Sequence, residues 1–235
     1  MKFSIVVPCY NEEKNIPLVL KAFEKAIHGR DDVELILVNN GSTDNSQKVL
    51  DELVAKYKFS FTVKVEVNQG YGYGILYGLK HAKGDFIGWT HADMQTNPTD
   101  VLKAVDIILK SDDRENMFVK GTRRGRSPWD MLFTNGMSLF ESVYLGKRLV
   151  DINAQPNLFS RSFFETWEEP PYDFSLDLYA LYMARVKGCN VVRFPVEFPK
   201  RIHGNSKWNT GIRAKFKFIK RTLDFSIALK RKGVR

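Results

Sequence analysis

The chain has 235 residues, of which 43% are hydrophobic and 27% are charged. This composition excludes a disordered chain, and the length allows one sizeable hydrophobic core. No run approaches the roughly 18–20 apolar residues of a membrane-spanning helix, and the apolar start of the chain is too short for a signal peptide. Cys9 and Cys189 imply no disulfide framework, so we expect a cytoplasmic location.

The net charge of +9 is concentrated at the C-terminal end of the chain. Residues 207–235 contain ten Lys or Arg residues and one acid, Asp224, and therefore carry the whole excess. The remainder of the chain is neutral. A basic segment of this kind can bind anionic lipid, nucleic acid or an acidic partner.

The first half of the chain alternates predicted strands and helices. Short apolar runs are typical of buried strands, and apolar residues at helical spacing follow each run. In chain order we predict strand 3–8, helix 12–28, strand 33–38, a helix from about 44, strand 61–67, helix 71–82, strand 85–90 and a helix from Pro98. Repeated strand–helix units predict an α/β fold: an open, mostly parallel twisted sheet flanked by helices, with ligands at the carboxyl ends of its strands.

The second half of the chain is less regular. We predict an aromatic-rich helix over 128–146, a strand within 152–160, a helix over 173–187 and a short strand over 191–196. The sequence contains no internal repeat and no clear linker, so one domain with a C-terminal tail is the simplest organisation.

Polar side chains follow three of the predicted strands directly. They lie in the segments PCYNE (8–12), NNGSTD (39–44) and HADMQ (91–95). At the start of a helix, free backbone N–H groups and the helix dipole favour anions. In any one loop these residues could simply form turns and helix caps. Together, the three loops predict one anion-binding edge of the sheet.

These segments resemble glycosyltransferase family 2, whose usual pattern is PxYNE, DDGSxD and then DxD followed by Gln and Pro. The similarity covers about residues 3–110 and continues more weakly to about 207, through DINAQPNLFSR and RIHGNSK. Within the family the chain most resembles the polyprenyl-phosphate (dolichyl-phosphate mannose synthase) branch. The resemblance implies a GT-A type fold and an enzyme that takes a hexose from a nucleotide-diphosphate sugar with inversion, by direct displacement.

The resemblance also implies a divalent metal, Mg²⁺ or Mn²⁺, at the diphosphate. Asp93 is at the second acidic position of the family's DxD and would be a catalytic metal ligand, with Gln95 as the second protein ligand. The metal would neutralise the leaving diphosphate as a Lewis acid. His91 replaces the first Asp, and we expect it to reach the diphosphate or a metal-bound water; a histidine that merely ends the strand is the alternative.

Donor contacts are implied in all three loops and in the glycine-rich segment after Gln69. Tyr10 would cover the base, and Glu12 would accept from ribose hydroxyls. Asn40 stands where the family has Asp and can still accept a base N–H through its amide oxygen. Asp44 is retained, although it could equally cap a helix. The full predicted donor-binding set is Pro8, Tyr10, Asn11, Glu12, Asn40, Asp44, Gly70, His91, Asp93 and Gln95.

The acceptor side is implied by basic residues further along the chain. The predicted acceptor-binding residues are Arg123, Arg201, Ser206 and Lys207, because guanidinium groups and hydroxyls suit a phosphate. Solvated surface residues are the alternative. A sugar-hydroxyl acceptor would need a general base, for which Asp177 is the candidate and Asp173 the substitute. A lipid phosphate is already ionised at neutral pH and needs none; Asp177 could then be a helix-surface carboxylate.

We divide the chain into a catalytic domain, 1–207, and a basic amphipathic helical tail, 208–235. In the tail, apolar residues recur at helical spacing from Trp208 to Ile227. We expect this helix to bind the inner face of the membrane peripherally. A helix packed on the domain is the alternative. We expect no nucleic acid partner, because a reader motif is absent.

Three functions follow for comparison. The leading one transfers a hexose to a polyprenyl phosphate, a lipid-phosphate acceptor, at the cytoplasmic membrane surface. The second uses a sugar hydroxyl of a lipid-linked or surface glycan. The third is a non-catalytic nucleotide-sugar binding protein, since Asp is replaced at His91 and Asn40. A nucleotidyltransferase is disfavoured, because PCYNEEKNI lacks a triphosphate-binding glycine loop.

Overall fold

The structure, a computed structural model, describes residues 1–199, 201–203 and 212–232, with side chains throughout these ranges except at 212–218. Its strands are β1 (Phe3–Cys9), β2 (Val33–Asn40), β3 (Ser60–Val65), β4 (Phe86–Trp89), β5 (Met117–Arg124), β6 (Asn157–Ser160) and β7 (Asn190–Glu197). Its helices are α1 (Ile16–Ile27), α2 (Ser46–Leu53), α3 (Tyr71–His81), α4 (Pro98–Leu109), α5 (Pro128–Leu145), α6 (Arg161–Glu165), α7 (Leu176–Val186) and α8 (Ile212–Arg231).

The seven strands form one sheet in the order β3-β2-β1-β4-β6-β5-β7. β1 pairs in parallel with β2 on one side and with β4 on the other, so the carboxyl ends of these strands lie side by side. β6 is antiparallel to both of its neighbours, and β7 returns parallel to β5. The predicted open, mostly parallel α/β sheet is therefore confirmed, with one antiparallel strand inside it.

Period-two alternation divides the core between the two faces of the sheet. On β1, Phe3, Ile5 and Val7 pack with the buried residues of α1, α2 and α4. Val6 points the other way, into a cluster with α3, α6 and α7. Both faces are covered, which explains why the parallel strands are nearly continuous apolar runs.

α8 packs against the rest of the molecule through Leu229 and Phe225, which widen the predicted apolar stripe, and through polar residues. Leu229 is buried in the core, and Thr222 and Ser226 are buried beside it. Ile227, a member of the predicted stripe, is 38% exposed. Ser226, which is outside the stripe, is buried because it donates a hydrogen bond to Glu141 at 2.6 Å. Peripheral binding of the tail to a membrane stays a prediction.

Two further points concern the C-terminal tail: whether it could span a membrane and where it begins. Among the described residues, no helix combines the length and the apolar character that a membrane span requires. The division between 207 and 208 stays a prediction, because residues 204–211 lie outside the described ranges.

Candidate active site

The loops that follow β1 and β2 are joined into one wall by hydrogen bonds. The Asn11 backbone N–H donates to Ser42 Oγ at 3.0 Å, and the Thr43 N–H donates to Asn11 Oδ1 at 2.8 Å. The Glu12 N–H donates to Ser46 Oγ at 2.9 Å. Asn11 has a φ of 58°, a left-handed conformation that Asn tolerates better than most residues. The predicted donor residues of the first two loops are thus brought together.

Asp44 holds this wall in place. Its Oδ1 accepts from the Ser46 N–H at 2.9 Å, and its Oδ2 accepts from the Glu13 N–H at 3.3 Å. One carboxylate oxygen therefore binds the first residue of α2 and the other binds the loop after β1, so Asp44 joins the two loops; the N-cap position of α2 is Asn45. Its direct contact with a donor stays a prediction.

Asn39 and Asn40 point to opposite sides of β2. Asn39 Oδ1 accepts from the Ser42 N–H at 3.0 Å, so this residue shapes the loop. Asn40 Nδ2 donates to the Gly70 carbonyl at 2.9 Å. Asn40 Oδ1 is buried and has no hydrogen-bond partner among the described residues. It is an acceptor that an N–H of a bound base would satisfy.

The glycine-rich segment brings α3 close to these loops. Gly70 has a φ of 115°, and a Cβ there would lie 2.4 Å from the Tyr172 carbonyl oxygen. A Cβ on Gly74 would lie 2.8 Å from Asn40 Cγ. These positions need glycine because backbone or side-chain atoms already occupy the space. Gly70 therefore acts through its backbone rather than as a flexible hinge.

Asp93, Gln95 and Arg201 form the centre of the site. Arg201 Nη2 lies 2.9 Å from Asp93 Oδ2, and Arg201 Nε donates to Gln95 Oε1 at 3.0 Å. Gln95 is oriented by its own N–H, which donates to Asp93 Oδ1 at 3.1 Å, and by Nε2, which donates to the Pro199 carbonyl at 2.8 Å. The two predicted metal ligands thus share one cationic partner, which is a predicted acceptor residue.

The same region contains a second carboxylate. Burial raises the pKa of Glu12, the Asn15 amide opposes this, and the negative charge of Asp93 raises it further while Arg201 lowers it. Glu12 therefore interacts electrostatically with both Asp93 and Arg201, which brings the loop after β1 near the loop after β4. The three loops predicted to share one edge do meet there.

The His91 ring packs on an aromatic stack. Its ring is stacked on Tyr71 with a centroid separation of 5.8 Å, and Tyr71 is stacked on Phe174 at 4.6 Å. No group of three or more His, Cys, Asp or Glu side chains suited to a metal occurs within the described ranges. A diphosphate contact by His91 stays a prediction.

Asp177 is buried beneath this stack, with 3% of its surface exposed. Its Oδ1 accepts from Gln155 Nε2 at 2.8 Å and from Asn157 Nδ2 at 3.2 Å. Lys120 Nζ completes the network by donating to Asn157 Oδ1 and to the Ala154 carbonyl, each at 2.6 Å. Asp177 is thus not the surface carboxylate considered as an alternative, and its role as a base stays a prediction.

The remaining predicted acceptor residues are separate from this centre. Arg123 donates three hydrogen bonds to Asp151: from Nε to Oδ1 at 2.9 Å, from Nη2 to Oδ1 at 2.5 Å and from its backbone N–H to Oδ2 at 2.7 Å. Burial alone would raise the pKa of Asp151, but Arg123 lowers it below its usual value. Arg123 is committed to this pair, so its acceptor role stays a prediction. Ser206 and Lys207 lie outside the described residues.

Several residues of the site were not predicted from the sequence. Ser42, Thr43 and Ser46 fix the loops after β1 and β2. Ser42 and Thr43 had been considered only as capping types, and Ser46 had not been singled out. Lys120 was also missed, although a single lysine inside the apolar strand MFVKG is a signal for a buried charge. Gln155 and Asn157 belong to the weakly matching DINAQPN segment.

The centre of the site suits a cation with two protein oxygen ligands. Asp93 and Gln95 turn oxygens towards one positive group, and carboxylate and amide oxygens are hard ligands of the kind that Mg²⁺ and Mn²⁺ prefer. A site with so few protein ligands leaves the remaining positions to water and to phosphate oxygens. The donor set therefore fits the expected divalent metal.

Comparison with known proteins defines the class. The sequence model of Glycosyl transferase family 2 matches residues 4–167, which is more than half of the chain. The chain therefore belongs to glycosyltransferase family 2, and the resemblance seen in the three loops is confirmed.

Two curated relatives are similar to the chain. An undecaprenyl-phosphate 4-deoxy-4-formamido-L-arabinose transferase of Proteus mirabilis (strain HI4320) is 35% identical over 125 residues, which is 52% of this chain and 37% of the relative. A dolichol-phosphate mannosyltransferase of Pyrococcus furiosus is 26% identical over 213 residues, or 88% of this chain and 59% of the relative. The chain spans less than two thirds of the length of either relative. Both names describe transferases of sugars to polyprenyl phosphates.

A solved structure supports the fold. Glucosyl-3-phosphoglycerate synthase from Mycobacterium tuberculosis, in complex with Mn²⁺, UDP and glucosyl-3-phosphoglycerate, matches with a TM-score of 0.71 at 20% identity. The match covers 100% of this chain and 81% of that structure. The predicted GT-A type fold is confirmed.

Proposed function

We propose that the protein transfers a hexose from a nucleotide-diphosphate sugar to a polyprenyl phosphate at the cytoplasmic face of a membrane, with inversion at the anomeric carbon. The observation that carries this proposal is the convergence of Asp93, Gln95 and Arg201 at the carboxyl edge of β4. This arrangement offers two oxygen ligands and one guanidinium to a leaving diphosphate and an incoming phosphate.

The donor would lie across the loops after β1, β2 and β4. Tyr10 and Asn40 would hold the base, Glu12 the ribose, and Asp93 with Gln95 the metal at the diphosphate. The orphaned oxygen of Asn40 supports a base N–H at that position. A bound Mg²⁺ or Mn²⁺ would supply Lewis-acid stabilisation of the diphosphate. The solved relative contains Mn²⁺ and UDP, which makes UDP the first nucleotide to test.

The surroundings of Asp177 favour a phosphate acceptor over a sugar hydroxyl. A general base must reach the proton that it removes, yet this carboxylate is buried and already accepts from two amides. A phosphate nucleophile needs no base, and Arg201 provides a guanidinium for it beside the metal ligands. The names of the curated relatives, which act on undecaprenyl and dolichol phosphates, support the same acceptor class.

The test is a thermal-shift panel of UDP, GDP and dTDP, each with and without Mn²⁺. A nucleotide that binds the folded state at about one hundred times its dissociation constant stabilises it by about 2.7 kcal/mol. For a chain of this length we expect a rise of roughly 5 °C or more that needs Mn²⁺.

Two variants of aspartates that flank β4 make the test specific. Asp93→Ala, at the carboxyl end, should abolish the Mn²⁺-dependent shift. Asp85→Ala, at the amino end of the same strand, should keep it, because within the described ranges this carboxylate contacts the chain terminus at Met1 and Lys2. If a nucleotide raised the melting temperature of Asp93→Ala as much as that of the wild type, with Mn²⁺ present, the proposed donor site would be refuted.

A further inference from the structure

α5 exposes large apolar side chains near both of its ends, with the exposed Asn135 and Gly136 between them. Trp129, Leu132, Leu139 and Val143 recur at helical spacing and are 80%, 64%, 67% and 76% exposed. Met131 and Phe140, 48% and 43% exposed, widen this stripe. Large apolar side chains on a monomer surface are normally scattered singly, and a continuous patch marks an interaction site. We call these six residues the α5 face.

The inward side of the same helix combines Leu145, which is buried in the core, with polar residues. Ser138 and Glu141 are buried, and Ser142 Oγ accepts from the Leu149 N–H at 2.9 Å. Glu141 accepts from Ser226 of α8 at 2.6 Å, which fixes the rotation of α5 about its axis. The helix is therefore amphipathic in the reverse sense to a helix that packs on a core. Its apolar side is directed outward by specific hydrogen bonds, not left over by poor packing.

Positive charges surround the α5 face. The exposed Arg124 precedes the helix, and the exposed Arg148 follows it. From α8, Lys230 lies over the ring of Tyr144 at 4.4 Å and donates to the Tyr144 carbonyl at 2.8 Å. The helix itself contains two acids. Glu141 is fully buried, and Asp130 accepts from Ser127.

These charges discriminate between possible occupants. If a second copy of the chain docked through the same face, antiparallel helices would place Arg124 of one copy near Arg148 of the other. Parallel helices would place identical cations together. Either arrangement opposes like charges without intervening exposed acids. An anionic lipid surface complements the cations, and its acyl boundary accepts the apolar side chains.

We infer that α5 is the membrane-binding element, inserting the α5 face into the interface of an anionic bilayer while cations of α8 and of the ends of α5 bind the headgroups. This inference deepens the proposed membrane association and transfers the inserted surface from the tail to α5. Trp129 lies at one end of the face, where an amphipathic indole suits the headgroup level. The bilayer is also where a polyprenyl phosphate is found, so α5 would bring the site to its acceptor.

The experiment is flotation of the full chain with phosphatidylcholine vesicles that contain or lack phosphatidylglycerol. Val143→Asp should weaken binding to anionic vesicles by about tenfold or more, because a carboxylate would have to enter the acyl boundary. Val67→Asp is the matched control, since Val67 is 71% exposed but lies outside α5. It should bind within about twofold of the wild type. Thermal melts of both variants establish that they are folded.

A second measurement follows the position of Trp129. Brominated lipids should quench part of the tryptophan fluorescence of the wild type, and Trp129→Phe should lose that quenching. Equal binding by Val143→Asp and wild type, or equal affinity for neutral and anionic vesicles, would overturn the inference. So would self-association that Val143→Asp abolishes, without any vesicle binding, because the face would then join two copies.

The outcome is separable from the reaction. Vesicle binding that depends on Val143, with no sugar transfer to polyprenyl phosphate, would leave α5 as the membrane element and refute the proposed function. Transfer to a short-chain soluble acceptor by a protein that ignores vesicles would do the opposite.

Discussion

At the scale of single residues, Arg201 explains how a buried carboxylate is tolerated in a site open to ligands. The Asp93 side chain is only 7% exposed, and an ionised carboxylate at that depth requires a cationic partner. Arg201 is that partner and also binds Gln95. A divalent metal on the same two oxygens would satisfy the same need, so the proposed metal would compete with the guanidinium for Asp93.

Replacing Arg201 with Gln tests this competition. The metal-free variant should melt at a lower temperature than the wild type, because Asp93 loses its cation. Mn²⁺ alone should then raise the melting temperature of Arg201→Gln by more than that of the wild type. Arg123→Gln is the matched control, since its arginine also pairs with a buried carboxylate, Asp151, away from the metal ligands. If Arg123→Gln responds to Mn²⁺ as strongly as Arg201→Gln, the competition is disproved.

Lys120 presents the opposite problem, a buried amine. Burial lowers its pKa to about 7; Asp177 and Asp151 oppose this shift, and Arg193 and Arg123 add to it. A neutral amine still has two N–H groups, enough for its two acceptors, Asn157 Oδ1 and the Ala154 carbonyl. The network beneath the site can therefore remain intact when the proton is lost.

This shift predicts a pH dependence of stability. An unfolded lysine titrates near pH 10.4, so between about pH 7 and that value the unfolded chain holds a proton that the folded chain lacks. The free energy of unfolding of the wild type, relative to Lys120→Met, should therefore rise with pH, by roughly 3 kcal/mol from pH 7 to about 9.5. Urea titrations at several pH values measure it. Lys103→Met, at a side chain that is 59% exposed, is the control and should follow the wild type. Parallel curves for wild type and Lys120→Met would contradict the prediction.

At the scale of elements, the contact between β4 and β6 joins the two halves of the sheet. The strands are antiparallel, with Gly88 opposite Leu158. A Cβ on Gly88 would lie 1.9 Å from the Asn157 carbonyl oxygen, so only glycine allows this approach. Asn157 also belongs to the Lys120 network. The close approach at Gly88 thus positions both the pairing of β4 with β6 and Asn157, which belongs to the hydrogen-bond network of Lys120.

A pair of glycine substitutions tests this contact. Gly88→Ala should lower the free energy of unfolding by more than about 3 kcal/mol, because backbone on both strands must move. Gly136→Ala adds the same methyl group on α5, where a Cβ would have no atom within 4 Å. It should stabilise the protein by about 0.5–1 kcal/mol through helix propensity. Chemical unfolding of both variants measures these changes. A Gly88→Ala protein as stable as the wild type would show that β4 and β6 can make room for a methyl group without cost.

Periodicity explains why the elements could be predicted from the sequence. The strands and helices follow from period-two and 3.6-residue patterns, which are local. On α8, a count of apolar residues could not find Ser226, because a hydrogen bond to Glu141 of another helix buries this polar side chain. On α5, a pattern reveals an apolar side but not whether that side faces the core. In both helices the deciding partner is distant in sequence.

At the scale of the whole molecule, strand order decides which residues meet. The three loops after β1, β2 and β4 could be predicted to share an edge, because consecutive parallel units place them there. The position of Arg201 beside Asp93 could not, since it requires the crossover order β4-β6-β5-β7. The same crossover places Lys120 of β5 near Asp177 of α7. Short motifs therefore indicated the donor side of the site, and topology supplied the rest.

The division of charge across the molecule leads to a last prediction. Residues 207–235 carry the entire net charge of +9, and α8 within this segment lies beside the α5 face. Attraction of these cations to anionic headgroups is screened by salt, because the Debye length falls from about 10 Å at 0.1 M to about 3 Å at 1 M. Insertion of apolar side chains is not weakened in this way.

Binding to anionic vesicles should therefore fall about tenfold or more between 0.05 and 0.5 M NaCl, since each cation near the surface contributes roughly 1 kcal/mol at low salt. Val143→Ser should lower affinity by a similar factor at either salt concentration, because it alters the apolar contribution without adding a charge. Replacing the exposed Lys230 and Arg231 by Gln should instead flatten the salt dependence. Flotation across a salt series measures both effects. Affinity that stays constant over this range would mean that the basic helix does not contact the membrane, even if α5 does.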